Sequence, residues 1–148
     1  MSTHALSLVV CGKGDDPSNP SHWSFNFHPI FSQTGTQLQV LIIDPDHLWY
    51  QFDKRDGAPI LAPESEGHFQ IATFTPTQYA RASDIICNEP APRNGRDRCQ
   101  DWIVNCLIGL EAEEVVPAGT AERIGDLVGK TASMVAHAVG EDWVPNRP

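Results

Sequence analysis

The chain has 148 residues, of which 41% are hydrophobic, and a formal net charge of −9 from 10 basic and 19 acidic side chains. That length suits one domain with its own core, and the hydrophobic share excludes a largely disordered chain. The negative charge disfavours binding to nucleic acid or to an anionic membrane surface, because both partners carry negative charge themselves.

The first half of the chain has the pattern of an antiparallel meander of about five strands. In the second predicted strand, Trp23, Phe25 and Phe27 point to one face, while polar residues occupy the other. Loops rich in glycine, proline and serine lie at residues 12–21 and 58–67, and they are candidates to close over a cleft. The five segments are residues 6–10, 22–28, 38–43, 47–52 and 68–74.

The second half carries helix signals. Thr75-Pro76-Thr77-Gln78 is a capping box that predicts a short helix to about Ile86. Asp97 is the expected N-cap of a second helix with Cys99 at its second position, and a last helix ends at Gly140. We therefore predict a single α+β domain over residues 1–148, with an ordered core of about residues 5–140. Its sheet packs against two or three helices.

Two kinds of signal are missing. No apolar run approaches the roughly 20 residues that span a bilayer, and the amino terminus lacks the basic region of a secretion signal. The four cysteines form no disulfide framework and no recognised zinc pattern, so we expect free thiols and neither a metal nor another cofactor. These observations favour a cytoplasmic protein with no membrane partner.

Cys99 is the best candidate for chemistry. A helix start favours an anion, because unpaired N–H groups and the helix dipole stabilise it, so we expect a lowered thiol pKa there. The spacing of Cys99, Ile103, Cys106 and Leu110 places the thiol on the face that packs toward the sheet. The alternative is that Cys99 is a buried small hydrophobe, as most free cysteines are.

A catalytic thiol needs a base, and His22 is the best of the six histidines. It opens a strand after a loop and lies on the polar face, where Trp23 anchors the strand from the other side. Asn26 and His28 share that face and are candidate binding residues, as are Trp23 on the opposite face and Gln100 beside the cysteine. The alternative for His22 is a hydrogen-bonded bystander.

The segment His22-Trp23-Ser24-Phe25-Asn26-Phe27 resembles the histidine strand of the lecithin:retinol acyltransferase-like proteins, a circularly permuted papain-like group. In that family a cysteine at a helix start follows much later, and Arg98-Cys99-Gln100-Asp101-Trp102 occupies the matching place. The resemblance spans roughly residues 22–110 and implies a permuted papain-like layout. It also implies a third polar residue on the strand after the histidine strand, where Gln39, Gln37 and Asp44 are available.

These residues lead to three hypotheses. The first is a cysteine-dependent hydrolase or acyltransferase that attacks an amide, ester or thioester of a small-molecule or peptide-like substrate through Cys99 and His22, with Gln39 as the third member. The second is a non-catalytic binding or accessory module with the same fold, or a small-molecule isomerase or cyclase that uses His22, Asn26 and Gln39. The third, a metal site, lacks a recognised ligand spacing.

Overall fold

The computed structural model describes residues 1–146. Its strands are β1 (His4–Cys11), β2 (His22–Pro29), β3 (Thr34–Asp44), β4 (Trp49–Pro59), β5 (Ser65–Phe74) and β6 (Val144–Pro145). Its α-helices are α1 (Pro76–Asn88), α2 (Cys99–Ala112), α3 (Thr120–Gly125) and α4 (Ala132–Val139). The α+β class is therefore confirmed.

All the strands of these residues belong to one antiparallel sheet in the order β4-β3-β2-β1-β5-β6. Neighbouring strands from β1 to β4 follow each other along the chain, as expected for a meander. β5 returns to the free side of β1, and β6 adds a two-residue edge pairing to β5. The sixth strand lies after residue 140, outside the ordered core that we predicted.

The core lies between the sheet and α2. Trp23 and Phe25 of β2 are fully buried, and the facing side of α2 is fully buried as well. Removing each large aliphatic side chain of that helix from water contributes about 1.5–3 kcal/mol to folding. The fully buried side chains of α2 are Trp102, Ile103, Cys106, Leu107 and Leu110, so the predicted apolar stripe is confirmed.

The start of α2 differs from the prediction by one residue. Arg98 is the N-cap, and its N–H donates to the carboxylate of Asp101 at 2.8 Å. Asp97 instead accepts hydrogen bonds from Asn94 in the preceding loop. Cys99 is therefore the first residue of the helix rather than the second, because the Asp101 side chain supplies the cap that the sequence had assigned to Asp97.

Three other boundaries were predicted wrongly. β3 begins at Thr34 rather than at residue 38, and β4 ends at Pro59 rather than at residue 52. Both extensions have one cause, since Gly35 pairs with Ala58 and the two strands form a long hairpin. The predicted last helix is divided into α3 and α4, and Gly129, with a left-handed φ of 82°, lies between them.

The long hairpin also covers the polar face of β2. Ser24 and Asn26 are 0% and 1% exposed although they point away from α2. The amide of Asn26 reaches the carbonyl of Ala58 at 3.5 Å, and Ile60 is buried just beyond the end of β4. The sheet is therefore buried on both faces where β2 runs through it.

The close packing of Gly35 against β2 predicts that Gly35→Ala destabilises the protein. A Cβ at Gly35 would meet the carbonyl oxygen of Phe27 and the side-chain oxygen of Asn26, and a backbone carbonyl in a ladder cannot move aside cheaply. We expect Gly35→Ala to lower the free energy of unfolding by about 1–3 kcal/mol, measured by urea denaturation. Gly125→Ala is the matched control, because its Cβ meets nothing nearer than 3.9 Å. Equal stability of the two variants would contradict the packing described here.

Candidate functional site

The site is organised by the place where β2 and β3 separate. Among the described residues, their pairing runs from Phe27 opposite Thr36 to Phe25 opposite Leu38 and then stops. Beyond that point β2 pairs with β1, and β3 continues with β4. The first residues of β2 and the middle of β3 therefore leave an opening in the sheet, beside which α2 begins.

Cys99 and His22 both line one cavity of about 530 Å³ at this opening. Much of its wall is apolar and comes from β3, with Val40 and Ile42, and from Tyr50 of β4. The loop at residues 12–21 forms another wall, and Asp16, Arg98 and Asp101 supply charged groups. The structure thus brings together the two residues that the sequence selected as nucleophile and base.

A chain of hydrogen bonds orients His22. Its Nε2 lies 2.8 Å from Oε1 of Gln39, and Nε2 of Gln39 donates to Oδ2 of Asp53 at 2.9 Å. Since a carboxylate only accepts, Gln39 must present its NH₂ to Asp53 and its oxygen to His22. The Nε2 of His22 is then the protonated nitrogen, and Nδ1 is the acceptor of the neutral ring. Arg55 holds the far end of the chain through an ion pair with Asp53 at 2.9 Å.

The sulfur of Cys99 lies beside the start of β2. Nearby backbone N–H groups of Trp23 and Gln100 favour its charged form. The thiol is nevertheless 9% exposed, and burial raises its pKa above the ordinary value more than those N–H groups lower it. The expectation of a lowered pKa at the helix start was therefore wrong, because desolvation of the charged form outweighs the effect of the helix end.

Gln100 fixes the walls of the cavity. Its Nε2 donates to the carbonyl of Ser21 at 2.8 Å, and its Oε1 accepts from the N–H of Gly129 at 2.8 Å. The side chain is 3% exposed, so both ends of the amide are used inside the protein. We had assigned Gln100 to binding, and the structure gives it a second task, since it ties the loop before β2 and the turn after α3 to α2.

The other predicted binding residues lie apart from the cavity. Trp23 is fully buried in the core, and only its backbone reaches Cys99. Asn26 lies under the β3–β4 hairpin. His28 lies at the opposite end of β2, where Ser7 contacts its Nε2 at 2.9 Å. Asn26 and His28 lie on the same face of β2 as His22, as the alternating sequence predicted. Every second residue along a strand is about 6.6 Å further away, however, so both side chains are distant from His22.

Of the candidates for a third polar residue, Gln39 contacts the histidine. Gln37 donates to the same oxygen of Gln39 at 3.3 Å, which supports the amide orientation. Asp44 instead pairs with His47 at 2.8 Å at the tip of the hairpin. Sequence reasoning missed Asp53 and Tyr50, because only the register of β4 against β3 brings them here. Asp53 lies directly opposite Gln39 in that register.

Tyr50 adds a donor to the cavity wall. It is 7% exposed, and burial raises the pKa of its phenol, so the hydroxyl keeps its proton at neutral pH. Among residues 1–146, no group of three or more His, Cys, Asp or Glu side chains is arranged to hold a metal ion. Within the same residues, no helix combines the length and the apolar character needed to cross a membrane.

Comparison of the chain with family models, with curated proteins and with solved structures gave no match. The geometry of the cavity and the residues that line it are therefore the basis for inferring a function.

The raised pKa of Cys99 predicts its labelling behaviour. Iodoacetamide reacts with the thiolate, so labelling at Cys99 should rise with pH with a midpoint above the value of about 8.5 of an ordinary thiol. Mass spectrometry of the labelled peptide gives the rate at each pH, and the same peptide in guanidinium-unfolded protein provides the reference. A midpoint below that of the unfolded protein would contradict the burial effect.

The hydrogen-bond chain predicts the tautomer of His22. Long-range ¹H–¹⁵N spectra at a pH where the imidazole is neutral should show the proton on Nε2. Gln39→Leu removes the acceptor, so the ring should change to a mixture of tautomers. His47, which is exposed at the hairpin tip, provides the control resonance and should be unaffected by the substitution. Protonation at Nδ1 in the unmodified protein would contradict the orientation of Gln39.

Proposed function

We propose that the protein is a cysteine-dependent hydrolase or acyltransferase that acts on an amide, ester or thioester of a small-molecule or peptide-like substrate. The observation that supports this most is the orientation of His22 by Gln39 at the cavity that Cys99 also lines. A hydrogen-bonded bystander would need one partner only. Here the partner is itself fixed by Asp53, and the nitrogen left as acceptor is the one a general base requires.

The resting thiol is neutral, so the reaction begins with a proton transfer. Nδ1 of His22 takes the proton from Cys99 as the sulfur attacks the substrate carbonyl carbon. The C–O, C–N or C–S bond to the leaving group then breaks, and the leaving group takes that proton from His22. Water or another acceptor attacks the resulting thioester, gives its proton to His22, and frees the thiol.

The cavity contains donors for the negative oxygen that forms during attack. The unpaired backbone N–H groups at the start of α2 are candidate donors, and Tyr50 lines the same cavity. Such fixed donors lower the barrier most where water is scarce. The apolar wall formed by Val40 and Ile42 suits an apolar acyl group. The order of a histidine strand followed by a cysteine helix supports a permuted papain-like layout.

The second candidate is a non-catalytic binding module, and the burial of Cys99 favours it. A thiol that is 9% exposed with a raised pKa behaves as a core residue until a substrate reaches it. In that case the 530 Å³ cavity would bind a ligand without forming a covalent bond.

The two candidates differ in whether Cys99 becomes acylated. Incubation with an aryl ester or an alkyl thioester of butanoic acid should give a thioester at Cys99, detected by intact and peptide mass spectrometry. His22→Ala should slow its formation by about 10²- to 10⁴-fold, because the general base is lost. Gln39→Leu should slow it by about 10²-fold, because the ring is no longer held in place.

Two variants control this experiment. Cys99→Ala should abolish the adduct, and His47→Ala, at a histidine that is 66% exposed and pairs with Asp44, should leave its rate unchanged. Urea denaturation of each variant separates a loss of chemistry from a loss of fold. Acylation at the same rate in His22→Ala, or no acylation of Cys99 at all, would exclude the enzyme and leave the binding module.

A further inference from the structure

A second cavity, of about 550 Å³, lies on the other side of the sheet opening. Side chains alternate along β3, so Gln37 and Gln39 point away from the face on which Leu38 and Val40 are buried. The second cavity is more hydrophilic than the first. Its polar lining residues are Gln37, Gln39, Arg55, Asp56, Glu64 and Ser65.

The two cavities share His22 and Leu41 as lining residues. Both cavities lie where the pairing of β2 and β3 has ended. Cys11, which also lines the second cavity, pairs directly with His22 across β1 and β2. Directly opposed residues point to the same face of a sheet. His22 therefore lies between an apolar compartment that contains Cys99 and a hydrophilic compartment that contains Cys11, with its side chain on the Cys11 face of the sheet.

We propose that the second cavity is the acceptor subsite of the Cys99 centre, and that it binds a small hydrophilic molecule with an amino group beside one or more hydroxyl groups. This inference rests on the proposed function. The apolar cavity holds the acyl group as a thioester on Cys99. The acceptor reaches that thioester past His22 and Leu41, and the protein transfers the acyl group to it in preference to water.

The transfer step uses the same base as the first step. The ammonium group of the acceptor first loses a proton to solvent. The neutral amine then attacks the thioester carbonyl carbon, and His22 takes the second proton that the nitrogen loses. The C–S bond breaks, the sulfur of Cys99 receives that proton, and the acyl group leaves as an amide. No oxidant, metal or further reactant is needed.

The charge around the second cavity selects the acceptor. Asp56 and Glu64 are exposed at its edge, and Arg55 already pairs with Asp53 at 2.9 Å. Burial raises the pKa of the Cys11 thiol, and the carboxylates of Glu64 and Glu66 add to that effect. Amide and hydroxyl groups of Gln37 and Ser65 provide neutral hydrogen-bond partners. An ammonium group near the carboxylates and hydroxyls near the amides fit this lining.

The experiment measures where the acyl group goes. Protein acylated at Cys99 is mixed with glucosamine, and with glycerol as the uncharged comparison, and amide or ester product is separated from butanoic acid by mass spectrometry. We expect the ratio of transfer to hydrolysis to saturate with glucosamine and to exceed that with glycerol. Cys11→Phe, which fills the second cavity, should lower the ratio for glucosamine at least tenfold. Cys87→Phe, on α1, is the matched control and should leave it unchanged.

A milder variant and a binding measurement keep the proposal testable if Cys11→Phe does not fold. Glu64→Gln, at an exposed position, should weaken the preference for glucosamine over glycerol. In Cys99→Ala, glucosamine should protect Cys11 from iodoacetamide, and this result does not depend on acylation. Failure to acylate Cys99 refutes the proposed function. If Cys99 is acylated normally but the ratio of transfer to hydrolysis rises linearly with acceptor concentration and is unaffected by Cys11→Phe, the acceptor subsite is refuted and the proposed function is not.

Discussion

The early end of the β2–β3 pairing is the constraint on which the site depends. Three residues at the start of β2 and the facing part of β3 have no ladder between them, and the His22–Gln39 hydrogen bond spans the gap in its place. An open stretch of sheet has backbone groups that need partners, and the N–H of Trp23 lies close enough to the sulfur of Cys99 to favour its thiolate. The separation of the two strands therefore opens the cavity that Cys99 and His22 line, and it leaves room for the hydrogen bond that orients the histidine.

The thiol and the histidine have different electrostatic surroundings. Burial disfavours the thiolate at Cys99, so a permanent ion pair with His22 is not the resting state. The fixed neutral tautomer of His22 suits a base that acts only when substrate is present. In the proposed reaction, the thiol is activated only when a substrate carbonyl group and the base meet it together. Low reactivity toward a general alkylating reagent is then compatible with efficient attack on a bound substrate.

The sequence predicted the parts of the fold that depend on local pattern. The strand at β2, the capping box of α1 and the apolar face of α2 each have a short-range signal, and each was found where expected. The extended β3–β4 hairpin was missed, because Gly35 and Gly57 indicate turns locally. Pairing between distant residues keeps both glycines within strands.

The site also combines residues with a local sequence signal and residues that only long-range pairing brings together. Cys99 and His22 could be selected from local context, and Gln39 from the strand order that a resemblance implied. Asp53 could not, because its role follows from its register opposite Gln39. The pKa of Cys99 was also predicted in the wrong direction, since the position in the helix is visible in the sequence and the depth of burial is not. Asn26 and His28 share a face with His22, but the length of the strand separates them from it.

The two edges of the sheet bear on how the protein behaves at high concentration. An exposed strand edge can pair with the edge of another molecule and begin aggregation. At one edge, β4 carries Asp53, Lys54, Arg55 and Asp56 in succession, and such charges oppose stacking of identical strands. At the other, Val144 and Pro145 cover part of β5, and the Trp143 ring packs against Gly67. Removal of the last strand would uncover β5, so shortened forms should be the ones that assemble into fibrils.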